Sequence, residues 1–514
     1  MRSRILLAIV LGALALQPSE SLANTPKSTS STVEPFDSVP GLLTALQAVD
    51  RQNDSLDYKH SEPLLAAVVA AKAFTQLNEA TQLAALQVLS AEEADVGKTY
   101  LAWAHARAAT LLPSASFRHW LARASYAYAK SDMRDAVLAF TVISVRWPES
   151  IDKLNDTAIF QIAREARKTA SDDHGHALLR ALFTAHWTPS EASWDRADWL
   201  WQQLALLELE RNNASRALEA ANSVADPRLI VGMRTDRRFD PLIAANPTGF
   251  DLASGGKIVI ADAKQKVASQ PKSLAAVNTL VRALFDQGNT SEALALTDLA
   301  LAKASESDPA GVKNFDDVSE LIWTMDVKSR ILVFLGRFDE AVALQRQAAR
   351  RPEGGDINVS QSINLADMLY TLGRPLEANE AITLLGGMSK YGQLAGDEVR
   401  VCAAVQLHNT TLAAKLLASM AARSDDGPGP YANALLCVGN MDKLAAALIK
   451  QLADPATRLD ALATVQTYKL TSATTIFGSV LDRRRADLLK RSDVRDAIDK
   501  VGRVGAWPLT PPAS

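Results

Sequence analysis

Cysteine and aromatic residues are scarce in this 514-residue chain, and beyond its N-terminus it has no unbroken apolar run near eighteen residues. Two cysteines, Cys402 and Cys437, cannot make a disulfide framework. Each sits in an apolar helical stretch, "VRVCAAVQL" and "ANALLCVGN", where a free cysteine packs as a small hydrophobe. Export would permit a bond between them, and two neighbouring helices would have to meet its tight geometry. Aromatics make up 6% of a chain that is 48% hydrophobic, so Ala and Leu carry the apolar content. That suits helices packed closely on small residues. Without a second long apolar run, nothing beyond the N-terminus argues for spanning a bilayer.

Charge of one sign is also missing. The formal net charge is -3, and the run Arg483, Arg484, Arg485 is followed by Asp487, Asp493, Asp496 and Asp499. This reads as a solvated helix face and not as the clustered basic surface that nucleic acid requires. The familiar catalytic strings are absent: there is no G-x-S-x-G and no H-E-x-x-H. "LASGGK" fails as a phosphate loop, because Asp251 and Ile258 stand where glycine and Ser/Thr are needed. No cofactor is implied. One string keeps an enzyme reading open, "DDHGH" from Asp172 to His176, where His174 and His176 beside two carboxylates could hold a metal. The competing reading is a capped turn, since an Asp N-cap and a glycine are ordinary between two helices.

What the chain does have begins with "MRSRILLAIVLGALALQPSESLA". Arg2 and Arg4 precede a twelve-residue apolar core and a small-residue end, the order of a secretory signal cleaved after Ala23. Residues 1–23 are therefore expected to be removed and the mature chain to be periplasmic or secreted, with no membrane span. Residues 24–40, rich in Ser, Thr and Pro, read as a mobile leader.

Self-comparison gives the architecture. "LFDQGNTSEALAL", "LVFLGRFDEAVAL" and "LYTLGRPLEANEA" align without gaps and share G-x-x-x-E-A, at Gly288 and Ala293, Gly336 and Ala341, and Gly373 and Ala378. Glycine suits the left-handed end of a first helix, glutamate the first turn of a second, and alanine a close approach between the two. Two degenerate units follow, with His408 and Gly439 in the turn place. In the first half, Trp120 stands sixteen residues before Ala136 and Trp201 sixteen before Ala217. Together with Phe140 and Pro148, this pattern resembles the tetratricopeptide repeat, although Arg123 occupies the place of the family's leucine.

The resemblance implies an all-α fold, a right-handed solenoid of stacked helical hairpins. We expect two arrays, 41–247 and 258–514, separated by the Pro/Gly-containing stretch "NPTGFDLASGGK". "MRTDRRFDPLIAANP" and "KRSDVRDAIDKVG" share an Asp-x-Arg core and are expected to act as end caps. The resemblance also implies a concave groove lined by first helices that holds a protein or peptide partner. Counting back from the second-helix alanines places Arg282, Arg330 and Asp367 at one offset and Asn278, Asp326 and Ile363 at another, with Trp199 and Trp323 at a third. Two arginines at one offset could clamp a carboxylate. Alternatively, Arg330 pairs inside the array with Asp326 or Asp367. The function expected is an exported binding scaffold. The alternatives are a hydrolase or lyase built around the "DDHGH" string, and a structural component of an envelope assembly.

Overall fold

A helix can end abruptly only where a residue enters the left-handed region and the freed carbonyls find new donors. A computed structural model of the chain describes residues 38–53, 58–168, 173–190, 196–305, 314–352, 357–383 and 385–512; the expected signal and most of the expected leader lie outside them. Among the described residues, nine positions have such a positive φ: Gly97, Ser131, His186, Asn212, Gly288, Gly336, Gly373, His408 and Gly439. In each case the next residue's N–H reaches back to a carbonyl five residues earlier, as Arg337 does to Leu332 at 2.8 Å and Asn409 to Ala404 at 2.8 Å. His408 and Gly439 thus occupy the turn place expected of the degenerate units.

The packing partner of each turn lies five residues on. Ala136, Ala217, Ala293, Ala341 and Ala378 are all fully buried there, and Ala102 and Ala413 hold the same place. With only a methyl group at the contact, the two antiparallel helices can approach closely.

The chain forms two compact units that divide between Ser190 and Glu191. In the first, α1 (Val39–Asn53) packs on α2 (Tyr58–Ala70), and α3 (Glu79–Asp95) pairs with α4 (Thr99–Ala109). Next, α5 (Phe117–Ala129) pairs with α6 (Met133–Arg146), followed by α7 (Asp156–Lys168) and α8 (Asp173–Thr184). Trp120 is buried, and Arg123 has a specific task in place of the expected leucine. Its guanidinium stacks on the Trp120 ring, 5.1 Å from the centroid, donates to Thr110 Oγ1 at 2.9 Å and pairs with Asp135. Burial works against ionisation of Asp135, but hydrogen bonds from Arg123 and Trp103 outweigh it and hold the carboxyl below its usual range.

The second unit opens with the hairpin α9 (Asp198–Glu210) and α10 (Ala214–Asn222), then α11 (Pro227–Thr235), α12 (Asp240–Ala245) and α13 (Leu252–Ser269). Five hairpins follow: α14 (Leu274–Asp286) with α15 (Thr290–Ser305), α16 (Leu321–Phe334) with α17 (Phe338–Ala349), α18 (Val359–Thr371) with α19 (Pro375–Ala381), α20 (Lys390–Gln406) with α21 (Thr410–Ala421), and α22 (Pro428–Val438) with α23 (Met441–Ala453). The chain ends with α24 (Arg458–Thr464), β1 (Thr467–Tyr468), α25 (Gly478–Lys490), α26 (Ser492–Val501) and β2 (Ala506–Trp507). The fold is all-α, a helical solenoid, and β1 and β2 form only a two-residue parallel pair.

Two expectations need correction. The boundary expected near residue 250 falls inside the second unit, because "LASGGK" is the first turn and a half of α13, capped by Asp251. Its glycines serve close packing instead of a linker: a Cβ on Gly255 would sit 2.4 Å from the Ala225 carbonyl oxygen. The two supposed end caps lie against each other. Asp236 bridges Gly502, and Arg503 donates to both Asp240 oxygens at 2.6 Å. Their shared Asp-x-Arg core is used differently, since Asp236 binds Arg238 whereas Asp493 binds Arg491. Of the two readings the sequence leaves open for Cys402 and Cys437, the bonded one is realised, with Cα atoms 5.2 Å apart, and it ties α20 to α22.

Replacing Ala341 by Phe should force α16 from α17 and destabilise the second unit by about 1–3 kcal/mol or more. Chemical denaturation monitored by circular dichroism checks this, and an unchanged midpoint would contradict the close approach.

Candidate functional site

A repeat whose second-helix contact is alanine in all but the last hairpin, where Leu444 stands, leaves most of its variation to the first helix, so function is sought there. The offsets counted from the sequence do fall on first helices: Asn278 and Arg282 on α14, Trp323, Asp326 and Arg330 on α16, and Asp367 on α18.

Asp326 is the hub of this row. It is 2% exposed, yet three polar side chains reach its oxygens. Arg330, one turn along the same helix, donates from Nε to Asp326 Oδ2 at 2.9 Å. Asn364 reaches across from α18 to Oδ1 at 2.9 Å, and Gln345 approaches from α17 at 3.3 Å. Gln345 also donates to Gln361 Oε1 at 2.7 Å. One buried carboxylate therefore joins three helices of two successive hairpins. Of the two pairings left open by the sequence, the one realised for Arg330 is with Asp326, which occupies the guanidinium that a two-arginine clamp would need.

Asn278 is fully buried and donates to the Glu320 carbonyl at 3.3 Å. Arg282 is exposed, and its positive charge lies near Glu320, whose carboxyl is pushed up chiefly by burial and also by Asp317. Trp323 is half-buried, as is Trp199 on α9, whereas Trp201 is buried in the core.

Asp367 belongs to a second polar centre. It is hydrogen-bonded to the Tyr370 hydroxyl, which also donates to Glu398 Oε1 at 3.2 Å. Glu398, on α20, is buried, and that burial together with the Asp367 charge pushes its carboxyl well above the usual glutamate range. Hydrogen bonds from Tyr370 and Asn433 and the Arg485 charge oppose the shift without cancelling it. Glu398 was missed in the sequence, although the signal was available: it stands fifteen residues before Ala413, the offset of Asn278 and Asp326 from their own alanines.

The first unit holds a third buried acidic group that the sequence did not reveal. Glu62, Glu92 and Glu93 are all buried. Lys98 reaches Glu62 at 2.7 Å, the Ser61 hydroxyl donates to Glu92 at 2.9 Å, and His105 Nδ1 lies 2.8 Å from Glu93. Burial pushes the Glu93 carboxyl up, against the pull of His105.

The "DDHGH" string lies at the start of α8, from Asp173 onward, with Asp172 outside the described residues. Two residues apart on a helix, His174 and His176 leave the axis about 200° apart, so their rings cannot converge on one ion. Among the described residues no three His, Cys, Asp or Glu side chains come together to hold a metal. No helix among them is long and apolar enough to cross a membrane.

No protein-family model matches this chain, and no curated protein does. Solved structures that it resembles include the APC/C hetero-tetramer Cut9-Hcn1, at 10% identity and a TM-score of 0.28, with 90% of each chain covered. The TPR domain of P58(IPK) aligns at 13% identity and a TM-score of 0.20, over 74% of this chain and all of that one. Yeast Tom70 aligns at 15% identity and a TM-score of 0.22, over 89% of this chain and 99% of that one. Scores this low carry nothing further, and the architecture rests on the hairpin geometry described above.

The buried acid gives a pH signature. A carboxyl whose folded pKa is raised keeps its proton while the unfolded chain loses one, so the unfolded state is increasingly favoured as pH rises. The stability associated with Glu398 is therefore fully present below about 4.5, the ordinary glutamate value, and is lost as pH climbs through the raised folded value. The Glu398→Gln variant should lose less stability over that range than the parent chain, as read from denaturation midpoints at successive pH values. Parallel curves for the two proteins would refute this.

Proposed function

We propose that this chain is an exported scaffold that binds a protein or peptide along the first-helix face of its second unit. The observation that carries the reading is the contrast between the two helices of each hairpin. The second helices α15, α17, α19 and α21 carry alanine at the contact, while the first helices differ at equivalent places, with Arg282, Arg330 and Asp367 in one row and Asn278, Asp326, Ile363 and Glu398 in another. Asn278, Asp326 and Glu398 are buried and hold the first helices in place, whereas Arg282 is exposed and Trp323, Arg330 and Asp367 are half-buried, a mixed charged and aromatic set accessible to an extended segment.

Arg282 and Trp323 are the anchors at which affinity would concentrate, since arginine and tryptophan dominate binding energy wherever they are desolvated. Arg330 acts by orienting the Asp326 network. Two features support export: the charged, apolar and small-residue order of residues 1–23, and the Cys402–Cys437 bond, a linkage that persists in oxidising compartments.

The mature chain should be recovered from the cell envelope or medium with Asn24 as its first residue and without free thiols. A chain that keeps Met1, or one found reduced in the cytoplasm, would overturn the export reading. Captured from its native envelope, the parent chain should retain a partner. Arg282→Glu combined with Trp323→Ala should reduce that recovery about tenfold or more, with unchanged circular dichroism. Equal recovery by the folded variant would exclude this face, and recovery of nothing but further copies of the chain would favour a structural component of an assembly.

A further inference from the structure

In an open stack of repeats each hairpin touches only its neighbours, and the stack can stretch or bend like a spring. The second unit departs from this. Residues 470–484 run past the turns of four hairpins in chain order, with Leu470 at Gly288, Ala473 at Gly336, Ile476 at Gly373 and Arg484 at Gly439. The first three contacts are three residues apart. At 3.3 Å per extended residue that is about 10 Å per hairpin, the separation at which helices pack. Residues 470–476 are thus matched in length to the three hairpins beneath them.

The contacts are specific. A helix leaves its last carbonyls without partners, and this C-terminal region supplies donors to four first helices. Ala473 N–H donates to the Phe334 carbonyl at the end of α16 at 3.0 Å, and Phe477 N–H to Thr371 at the end of α18 at 2.9 Å. The Arg484 guanidinium donates to Leu436 near the end of α22 at 2.8 Å, and Thr510 N–H to Asp286 at the end of α14 at 3.0 Å. Both ends of the segment are fastened. Thr467 and Lys469 pair with Gly505 and Trp507, and Arg503 N–H donates to Thr235 at 2.9 Å, at the beginning of the same unit.

The glycines carry its footprint. A positive φ is met elsewhere by Ser131, Asn212 and His408, so the turn itself does not demand glycine. At Gly336 an added Cβ would lie 3.2 Å from Ala473 Cβ and at Gly373 3.3 Å from Ile476 Cβ, while at Gly97 in the first unit it would meet nothing within 4 Å.

We propose that residues 467–484, latched by 502–510, are a strap that fixes the spacing of the second unit's hairpins and holds its first helices in one arrangement. Releasing the strap lets α14, α16 and α18 move independently. This stands whether or not the first-helix face binds a partner.

The strap is exposed at Thr471, Ser472 and Thr474, so a protease recognition sequence inserted between Thr471 and Ser472 of the full chain can be cut in the folded protein. After cutting, amide exchange in the last turns of α16 and α18 should accelerate tenfold or more, while exchange in α3 to α6 stays unchanged. Unchanged exchange in α16 and α18 would overturn the proposal. An independent check keeps the chain intact: Gly336→Asn, whose side chain tolerates the turn's φ, should lower the melting temperature. Ala473→Gly, which removes the opposing methyl, should restore part of that loss. Strictly additive effects of the two substitutions would also overturn it.

Discussion

The close approach of two antiparallel helices at a buried alanine is the constraint on which the rest of this molecule depends. Five residues before each such alanine the chain turns through the left-handed region, and a backward hydrogen bond closes the first helix. Because turn and contact keep a constant distance along the chain, every first helix is delivered in the same register. Side chains eleven or fifteen residues before the alanine then fall into rows. Enlarging the contact residue would disturb a hairpin and also every row that passes through it.

Those rows are unusually polar for their burial. Asp326 sits in the interior between α16, α17 and α18, and Glu398 between α18, α20 and α22. A buried carboxylate is costly unless its oxygens are occupied, and the two sites solve this differently. Asp326 is matched by Arg330, Asn364 and Gln345. Glu398 faces another acid, Asp367, and favours its protonated form. Such networks add little net stability over apolar packing, but a misregistered hairpin would leave their charges unpaired. They therefore select one stacking among several of similar apolar content.

The second unit also differs from a chain of independent repeats in having ends that meet. Asp236 bridges Gly502, Arg503 holds Asp240, and the segment from Thr467 to Arg484 supplies donors that the helix ends lack. Contacts of such long sequence separation make the start and finish of the unit depend on each other. The Cys402–Cys437 bond acts on a smaller scale, and constraining its 35-residue loop contributes about 3–4 kcal/mol on a chain-entropy basis.

Much of this was legible in the sequence because it is local. The period of Gly288, Gly336 and Gly373 with their alanines, the weaker units around Trp120 and Trp201, and the turn places of His408 and Gly439 follow from helix-ending chemistry within a few residues. The offsets placed Asn278, Arg282, Trp323, Asp326, Arg330 and Asp367 on first helices for the same reason. Composition misled where one residue type serves two ends. Gly255 and Gly256 resembled a linker, yet their missing side chains admit the Ala225 backbone and the Gln287 side chain. Glu398 stands at the same offset from Ala413, but its burial against Tyr370 and Asn433 depends on helices remote from it in the chain. By itself, then, the sequence determined the hairpin, its register and the all-α class. Only the tertiary structure decided that Gln345 and Asn364 reach Asp326, that two cysteines 35 residues apart join, and that residues 467–510 close back over the array. Each of these depends on distances between segments remote in the chain, which no local pattern encodes.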